Sequence, residues 1–333
     1  MSGSLPFISV VVPAYNRPHG LAALLDALAE QSYPPYRFEV LVCDDGSKPA
    51  LAELVPIKDL PFSLNFLRDE NQGPAAARNR GIKAARGSIV AFTDDDCLPL
   101  PHWLEAIAET LQHPEPYAVH GPTYSTVPPI DPFVHSLHIE QIHGVATANF
   151  AARKDKLLAV DGFDENFRAP YFEDEDLSRR LQERFGPITW AAEARVEHPP
   201  RVVPLRKAFK SAGYTYYLPY MRRKYPGYRA GFMAGVARRI AAKTVLVAIG
   251  LAPLAGAPVA LGVAWLALFA WQAKRLQRTL AEVASAKLQV PVVSQLAFLG
   301  TEWLLDYARG LAYVRGLALR PRPVSLGLEE LLR

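Results

Sequence analysis

Residues 88–96 read Ser88-Ile89-Val90-Ala91-Phe92-Thr93-Asp94-Asp95-Asp96, an apolar run closed by three consecutive carboxylates. A strand that ends in clustered acids must point them at something positive. Like charges a few ångströms apart either raise a pKa or recruit a cation. Oxygen donors select hard ions such as Mg²⁺ or Mn²⁺, and such an ion is commonly shared with a phosphate. A solvated turn is the plain alternative, and the surrounding sequence decides between the two.

Outward from this stretch, strand-like and helix-like runs alternate. Phe7–Pro13 is a continuous β-rich stretch, and Gly20–Gln31 repeats Leu21, Leu24, Leu25 and Leu28 at helical spacing. Phe38–Cys43 reads as a second strand, closed by Asp44-Asp45-Gly46-Ser47, and Leu64–Leu67 as a third. Ala75–Arg86 reads as a helix with Pro74 at its start and Gly87 after its end. Ser88–Phe92 is the fourth strand, and Pro101–Gln112 a further helix. This alternation predicts an α/β fold: a mostly parallel sheet with flanking helices on both faces. Ligands of such sheets bind outside the carboxyl ends of the strands. Asp44-Asp45 and Asp94–Asp96 both fall at such ends, which favours a binding role over a solvated turn.

The 333 residues are 50% apolar, ample for a core, and carry a formal charge of +4 that hides an asymmetry. Residues 1–200 hold 17 Lys+Arg against 28 Asp+Glu, and residues 201–333 hold 20 against 5. The basic half interleaves with long apolar runs rather than a polar groove, which fits an anionic membrane surface and argues against nucleic acid. Two cysteines, Cys43 and Cys97, make no disulfide framework, and a reducing cytoplasm fits. Met1 to Pro6 is too short and polar to read as a signal peptide.

The organisation expected is a front domain over 1–205, a basic, tyrosine-rich linker over 206–235 and an apolar helical, membrane-associated region over 236–333. Thr244–Ala273 holds no charged residue over 30 positions, is interrupted at Pro253, Gly256 and Pro258, and has basic flanks on both sides. With positive flanks cytoplasmic, both ends lie on one side, and a bent hairpin dipping into the bilayer fits. A buried hairpin of a soluble domain is the alternative. Gln289–Leu319 is another apolar-rich segment, with Trp303, Tyr307 and Tyr313 suited to an interface.

Several motifs, in order, resemble the family-2 glycosyltransferases of the GT-A fold. They are Val11-Val12-Pro13-Ala14-Tyr15-Asn16-Arg17, Val42-Cys43-Asp44-Asp45-Gly46-Ser47, Asn71-Gln72-Gly73-Pro74-Ala75-Ala76-Ala77-Arg78-Asn79, and Phe92-Thr93-Asp94-Asp95-Asp96 with Pro101 beyond it. Gly162-Phe163-Asp164-Glu165 then precedes Glu173-Asp174-Glu175-Asp176-Leu177, which resembles the family's acidic segment. The resemblance covers roughly residues 7–200.

It implies a nucleotide-diphosphate sugar donor and a divalent cation, Mn²⁺ or Mg²⁺, that neutralises charge growing on the leaving diphosphate. By resemblance Asp96 ligates the metal, with His198, which follows a strand-like run over Thr189–Val196, as a further ligand, although a lone histidine is more often structural. Pro13, Tyr15, Asp45, Arg78, Asp94 and Asp95 are the donor-binding candidates. Among these, Asp45 accepts from the base edge, Tyr15 stacks near the base, and Asp95 contacts donor sugar or ribose. Arg78 pairs with the diphosphate or with the acids. Asp174 is the catalytic base of an inverting displacement; the alternative is that these acids merely charge the first turn of a helix over Glu175–Arg184. The acceptor implied is lipid-linked or an envelope glycan at the cytoplasmic face of the membrane, with membrane lipids as partners. Rivals are transfer to a polyprenyl phosphate and a non-catalytic scaffold that keeps the fold. Gln182-Glu183-Arg184-Phe185 lacks the tryptophan that a processive synthase carries after this segment.

Overall fold

The computed structural model describes residues 5–56, 59–126, 134–135, 139, 145–202, 205–229, 231–238, 240–241, 274, 277–278 and 292–317. They fall into two units. The first takes the described residues up to 126 and those from 139 to 199; the second takes 134–135 and those from 200 to 317.

The first unit opens with β1 (Ile8–Ala14), α1 (Pro18–Ala29), β2 (Phe38–Asp44), the short α2 (Leu51–Leu54) and β3 (Ser63–Arg68). It continues through α3 (Pro74–Ala84), β4 (Ile89–Phe92), β5 (Leu98–Pro99), α4 (Trp103–Leu111), β6 (Ala118–His120) and β7 (Thr123–Tyr124). After β8 (Val134–His135), which belongs to the second unit, come β9 (Phe150–Arg153), α5 (Lys154–Ala159), α6 (Glu173–Phe185), β10 (Thr189–Trp190) and β11 (Val196–Glu197). The main sheet has the order β10-β6-β9-β4-β1-β2-β3. Strands β3, β2, β1 and β4 run parallel, and β9 is antiparallel to both β4 and β6.

The continuous apolar runs of β1 and β2 reflect burial on both faces. Alternate side chains part: Ile8, Val10 and Val12 join Leu21, Leu24 and Leu28 of α1, while Val11 joins Leu41, Ile82 and Val90 on the other face. Each such aliphatic side chain contributes about 1.5–3 kcal/mol relative to exposure. Helix α1 begins two residues earlier than its leucine spacing suggests, because Pro18 stands at its first turn, where a missing N–H costs nothing.

Register sets the functional edge. Ala14 pairs with Asp44, and Val11 with Phe92, so β1, β2 and β4 deliver Tyr15, Asp45 and Asp94 to one rim. The strand-like run Thr189–Val196 does not form a single strand. Thr189–Trp190 extends the main sheet beside β6, and Val196–Glu197 lies between β5 and β7 in a separate three-stranded sheet. The turn between them is closed by Ala194 N–H donating to the Ala191 carbonyl at 3.1 Å.

Asn149 ties this turn to the rest of the unit. Its side-chain amide donates to the carbonyls of Pro122 (2.8 Å) and Ala194 (2.7 Å), and its oxygen accepts from Trp103 Nε1 (2.9 Å). Removing the amide strands the Trp103 Nε1–H and the Ala194 carbonyl, while the Pro122 carbonyl keeps the Val196 N–H at 3.0 Å; an unmatched buried polar group costs about 1–3 kcal/mol. Asn149→Ala is expected to lower stability by about 3 kcal/mol in denaturant titration; a loss below about 1 kcal/mol would show that the turn is not anchored there.

The second unit pairs β8 antiparallel with β12 (Arg201–Val202) and then turns helical, with α7 (Leu205–Gly213), a 3₁₀ turn over Tyr214–Tyr217 and α8 (Leu218–Lys224). The helix Val292–Gly316 packs against α7, the 3₁₀ turn and α8. Arg222 fastens it, donating to Tyr313 Oη at 3.1 Å with its guanidinium 5.6 Å from that ring's centre. One row on this helix stays exposed: Leu304, Tyr307, Leu311, Val314 and Leu317. Among the described residues no helix is long and apolar enough to cross a membrane. Thr244–Ala273, on which the hairpin expectation rests, lies outside the described residues.

Candidate active site

Asp44 and Asp45 close β2 with different tasks. Asp44 is structural: its oxygens accept from the backbone N–H of Ser47 (2.8 Å) and Leu51 (3.1 Å). Asp45 points the other way, accepting from the N–H of Gln72 (2.9 Å) and Gly73 (2.9 Å). The loop before α3 therefore wraps one carboxylate. Gly73 is required there: its φ is +98°, and a Cβ would lie 2.4 Å from the Arg168 carbonyl oxygen. Both Asp45 oxygens already hold a donor, so a base edge would meet only their second lone pairs. Pro13 lies in β1, paired with Cys43, and Tyr15 follows that strand with 48% of its surface exposed, a free ring at the rim.

The three carboxylates after β4 separate in space. Asp94 Oδ1 accepts from Arg78 Nη2 at 2.8 Å, and the same guanidinium reaches Glu173 Oε1 through Nη1 at 3.1 Å. Arg78 is 3% exposed and lies over the Phe163 ring. It thus joins the acidic strand end to the first turn of α6. Asp95 takes Arg17 Nη1 at 2.6 Å and the Tyr15 N–H at 3.3 Å. Burial pushes the Asp95 carboxyl up to about 6, against the pull of Arg17. Asp96 accepts the same Arg17 nitrogen on Oδ2 at 2.9 Å, while its Oδ1 faces His198 Nε2 at 3.8 Å.

His198 reaches this place through sheet register. β5 pairs antiparallel with β11, Val196 opposite Pro99 and Glu197 opposite Leu98, so the residues just before β5 meet those just after β11. Ligand atoms of Asp96, Cys97 and His198 lie within 4.8 Å of one another. Burial and the neighbouring Asp94 and Asp96 hold the Cys97 thiol well above its ordinary value, so the carboxylate and the imidazole are the donors that suit a hard divalent ion. Their 3.8 Å separation is too long for a hydrogen bond and short enough for a shared cation.

Asp174 lies inside α6, which begins at Glu173 rather than at Glu175. The residue before it, Phe172, has φ +77°, a left-handed conformation that a bulky aromatic adopts only when its surroundings enforce it. Its ring is buried against Phe167 and Tyr171. That turn fixes how the acids of the first helical turn face the rim. Asp174 Oδ1 accepts from the Glu175 N–H at 2.8 Å. Desolvation raises the Asp174 carboxyl, opposed by Arg78 and aided by Asp94. Desolvation also raises Glu173, with Asp174 adding to it. The remaining acids of the turn are structural: Glu175 pairs with Arg179 and Asp176 with Arg180 along the helix.

The structure brings Asp94, Arg78 and Asp174 into one network, and Asp96 and His198 into one cluster. Two partners are not read from the sequence alone. Glu173 is the second anchor of Arg78, and Arg17 is the cation on Asp95 and Asp96. Arg17 follows the strand that pairs with β4, and an arginine at that spot is the signal that points to it.

A mostly parallel sheet with flanking helices, its acid-lined carboxyl edge facing a buried arginine, is consistent with the GT-A fold. Residues 9–174 match the family model described as Glycosyl transferase family 2, and this part of the chain is a family-2 glycosyltransferase domain. Glycosyltransferase AglE of Haloferax volcanii is 41% identical over 113 residues, 33% of this chain and 37% of the relative. An uncharacterized glycosyltransferase of Haemophilus influenzae is 32% identical over 193 residues, 53% of this chain and 62% of the relative. The chain thus spans under two thirds of the length of each. Among solved structures, the mannosyltransferase PcManGT of Pyrobaculum calidifontis, in complex with GDP-Man and Mn²⁺, superposes with a TM-score of 0.55 at 19% identity. That alignment covers 94% of this chain and 87% of the other, and it supports the shared fold.

Proposed function

We propose that the chain transfers a sugar, with inversion, from a nucleoside-diphosphate sugar to a hydroxyl acceptor. The observation that carries this is the Asp94–Arg78–Glu173 network, which ties the acidic strand end to the helical turn bearing Asp174. Asp45 and the exposed Tyr15 frame the nucleotide end. Asp96 and His198 would hold a divalent cation, Mn²⁺ or Mg²⁺, whose chemistry is to offset negative charge on the departing diphosphate. In the single displacement the acceptor O–H gives its proton to Asp174. The acceptor oxygen bonds to the anomeric carbon as the bond from that carbon to the phosphate oxygen breaks, and the nucleoside diphosphate leaves.

Calorimetric titration with Mn²⁺ and UDP or GDP tests the donor half. Asp96→Ala is expected to lower metal-dependent affinity by at least about tenfold, the scale of one charge-assisted ligand. Unchanged binding would remove Asp96 from the site and with it the metal reading.

The acceptor reading is a lipid-linked or envelope glycan at the cytoplasmic membrane face. It is supported by the basic balance of residues 201–333 and by the exposed apolar row Leu304, Tyr307, Leu311, Val314 and Leu317. Co-sedimentation with phosphatidylglycerol vesicles, and none with phosphatidylcholine vesicles, is the expected result; absence of both would remove the membrane from the reading.

A further inference from the structure

We propose that Arg17 is the standing counter-ion of the Asp95–Asp96 pair and becomes a ligand of the donor's diphosphate when cation and nucleotide bind together, a role that rests on the donor reading above. One nitrogen, Nη1, reaches Asp95 Oδ1 at 2.6 Å and Asp96 Oδ2 at 2.9 Å. Two cationic side chains thus serve the triplet, and they differ in freedom. Arg78 is 3% exposed and fixed from both ends by Asp94 and Glu173. Arg17 is 37% exposed and reaches in from the rim.

Its backbone is held while its side chain is long. Asn16, with φ of 54°, donates its N–H to Ser47 Oγ at 2.9 Å and accepts the Lys48 N–H on Oδ1 at 3.0 Å. The residue after this clamp is therefore fixed at the carboxyl edge of the sheet, beside the place a diphosphate would occupy. Asp96 turns one oxygen to Arg17 and the other to His198. A divalent ion entering between Asp96 and His198 would share its carboxylate with a guanidinium, and the two positive charges oppose each other. A diphosphate relieves that conflict, because its oxygens match the guanidinium fork and accept it from the carboxylates.

Arg17 therefore weakens binding of the ion alone and strengthens binding of ion and nucleotide together. A residue that only supports the fold would push both in one direction. The test uses the full chain, titrated with MnCl₂ alone by electron paramagnetic resonance, and then with UDP and GDP at saturating Mn²⁺ by calorimetry. Arg17→Gln is expected to bind Mn²⁺ alone about tenfold tighter and the nucleoside diphosphate about tenfold weaker. Arg17→Lys keeps the charge without the fork, so Mn²⁺ affinity should stay near wild type while nucleotide affinity falls about threefold. If Arg17→Gln does not fold, the lysine variant decides by itself. Shifts of both affinities in the same direction, or nucleotide binding unchanged in the variants that fold, would overturn the proposal. Wild-type protein that binds neither Mn²⁺ nor nucleotide would overturn the donor reading, and this role with it.

Discussion

Asp174→Asn is expected to keep donor affinity and to lower the transfer rate by about 10²–10⁴, the range that loss of a general base costs. The amide preserves the size of the side chain and its hydrogen bond from the Glu175 N–H, but it cannot take the acceptor's proton. The pH dependence gives a second readout. Desolvation holds the Asp174 carboxyl above the ordinary value near 4. The active form is the carboxylate, so turnover falls as pH drops through that raised value. The acid limb of kcat should therefore lie above the pH of an unperturbed aspartate. Near-normal turnover in Asp174→Asn would favour an acceptor that is already an anion, such as a polyprenyl phosphate, because such an acceptor needs no base.

Arg78→Met should cost about 3–5 kcal/mol of stability at pH 8, the usual penalty for removing one partner of a buried ion pair. It strands Asp94 and Glu173 together and leaves Asp174 without its nearest positive charge. The loss depends on pH with a definite sign. Glu173 already sits above the ordinary carboxylate range through burial, and without Arg78 it rises further. A carboxyl whose folded pKa is raised destabilises the folded chain progressively as pH climbs above the unfolded value. The deficit of Arg78→Met should therefore shrink from pH 8 to pH 5.5, where protonation relieves the unpaired charge. Denaturant melts at the two pH values measure it. Equal deficits at both would show that removing Arg78 does not change the protonation of Glu173 over this pH range.

Strand positions, and the ends that carry Asp45 and Asp94, were legible because β1, β2 and β4 are buried on both faces and must be continuous apolar runs. Helix starts were less so. Leucine spacing in α1 begins at Leu21, while Pro18 and His19 enter the helix without contributing to the apolar stripe. The run Thr189–Val196 misled for a different reason: between its β-prone ends, Ala191-Ala192-Glu193-Ala194 makes a turn whose Ala194 carbonyl Asn149 holds, which leaves two strands in different sheets. The start of α6 shifted by two residues because Phe172 adopts a left-handed conformation that no propensity favours.

By itself the sequence determined the α/β class and the acid-lined edge, since residue type and strand period are local properties, while the roles proposed for Asp45, Arg78, Asp94, Asp96 and Asp174 rest on the resemblance. Only the tertiary structure decided who meets whom. The antiparallel pairing of β5 with β11 carries His198 to Asp96 across about a hundred residues of chain. Arg78 spans from Asp94 to Glu173, and Arg17 crosses from the end of one strand to the acids of the next. Such contacts depend on sheet register and on buried charges finding partners at long sequence separation. Desolvation, which sets the protonation of Asp95, Glu173 and Asp174, exists only once the chain has folded around them.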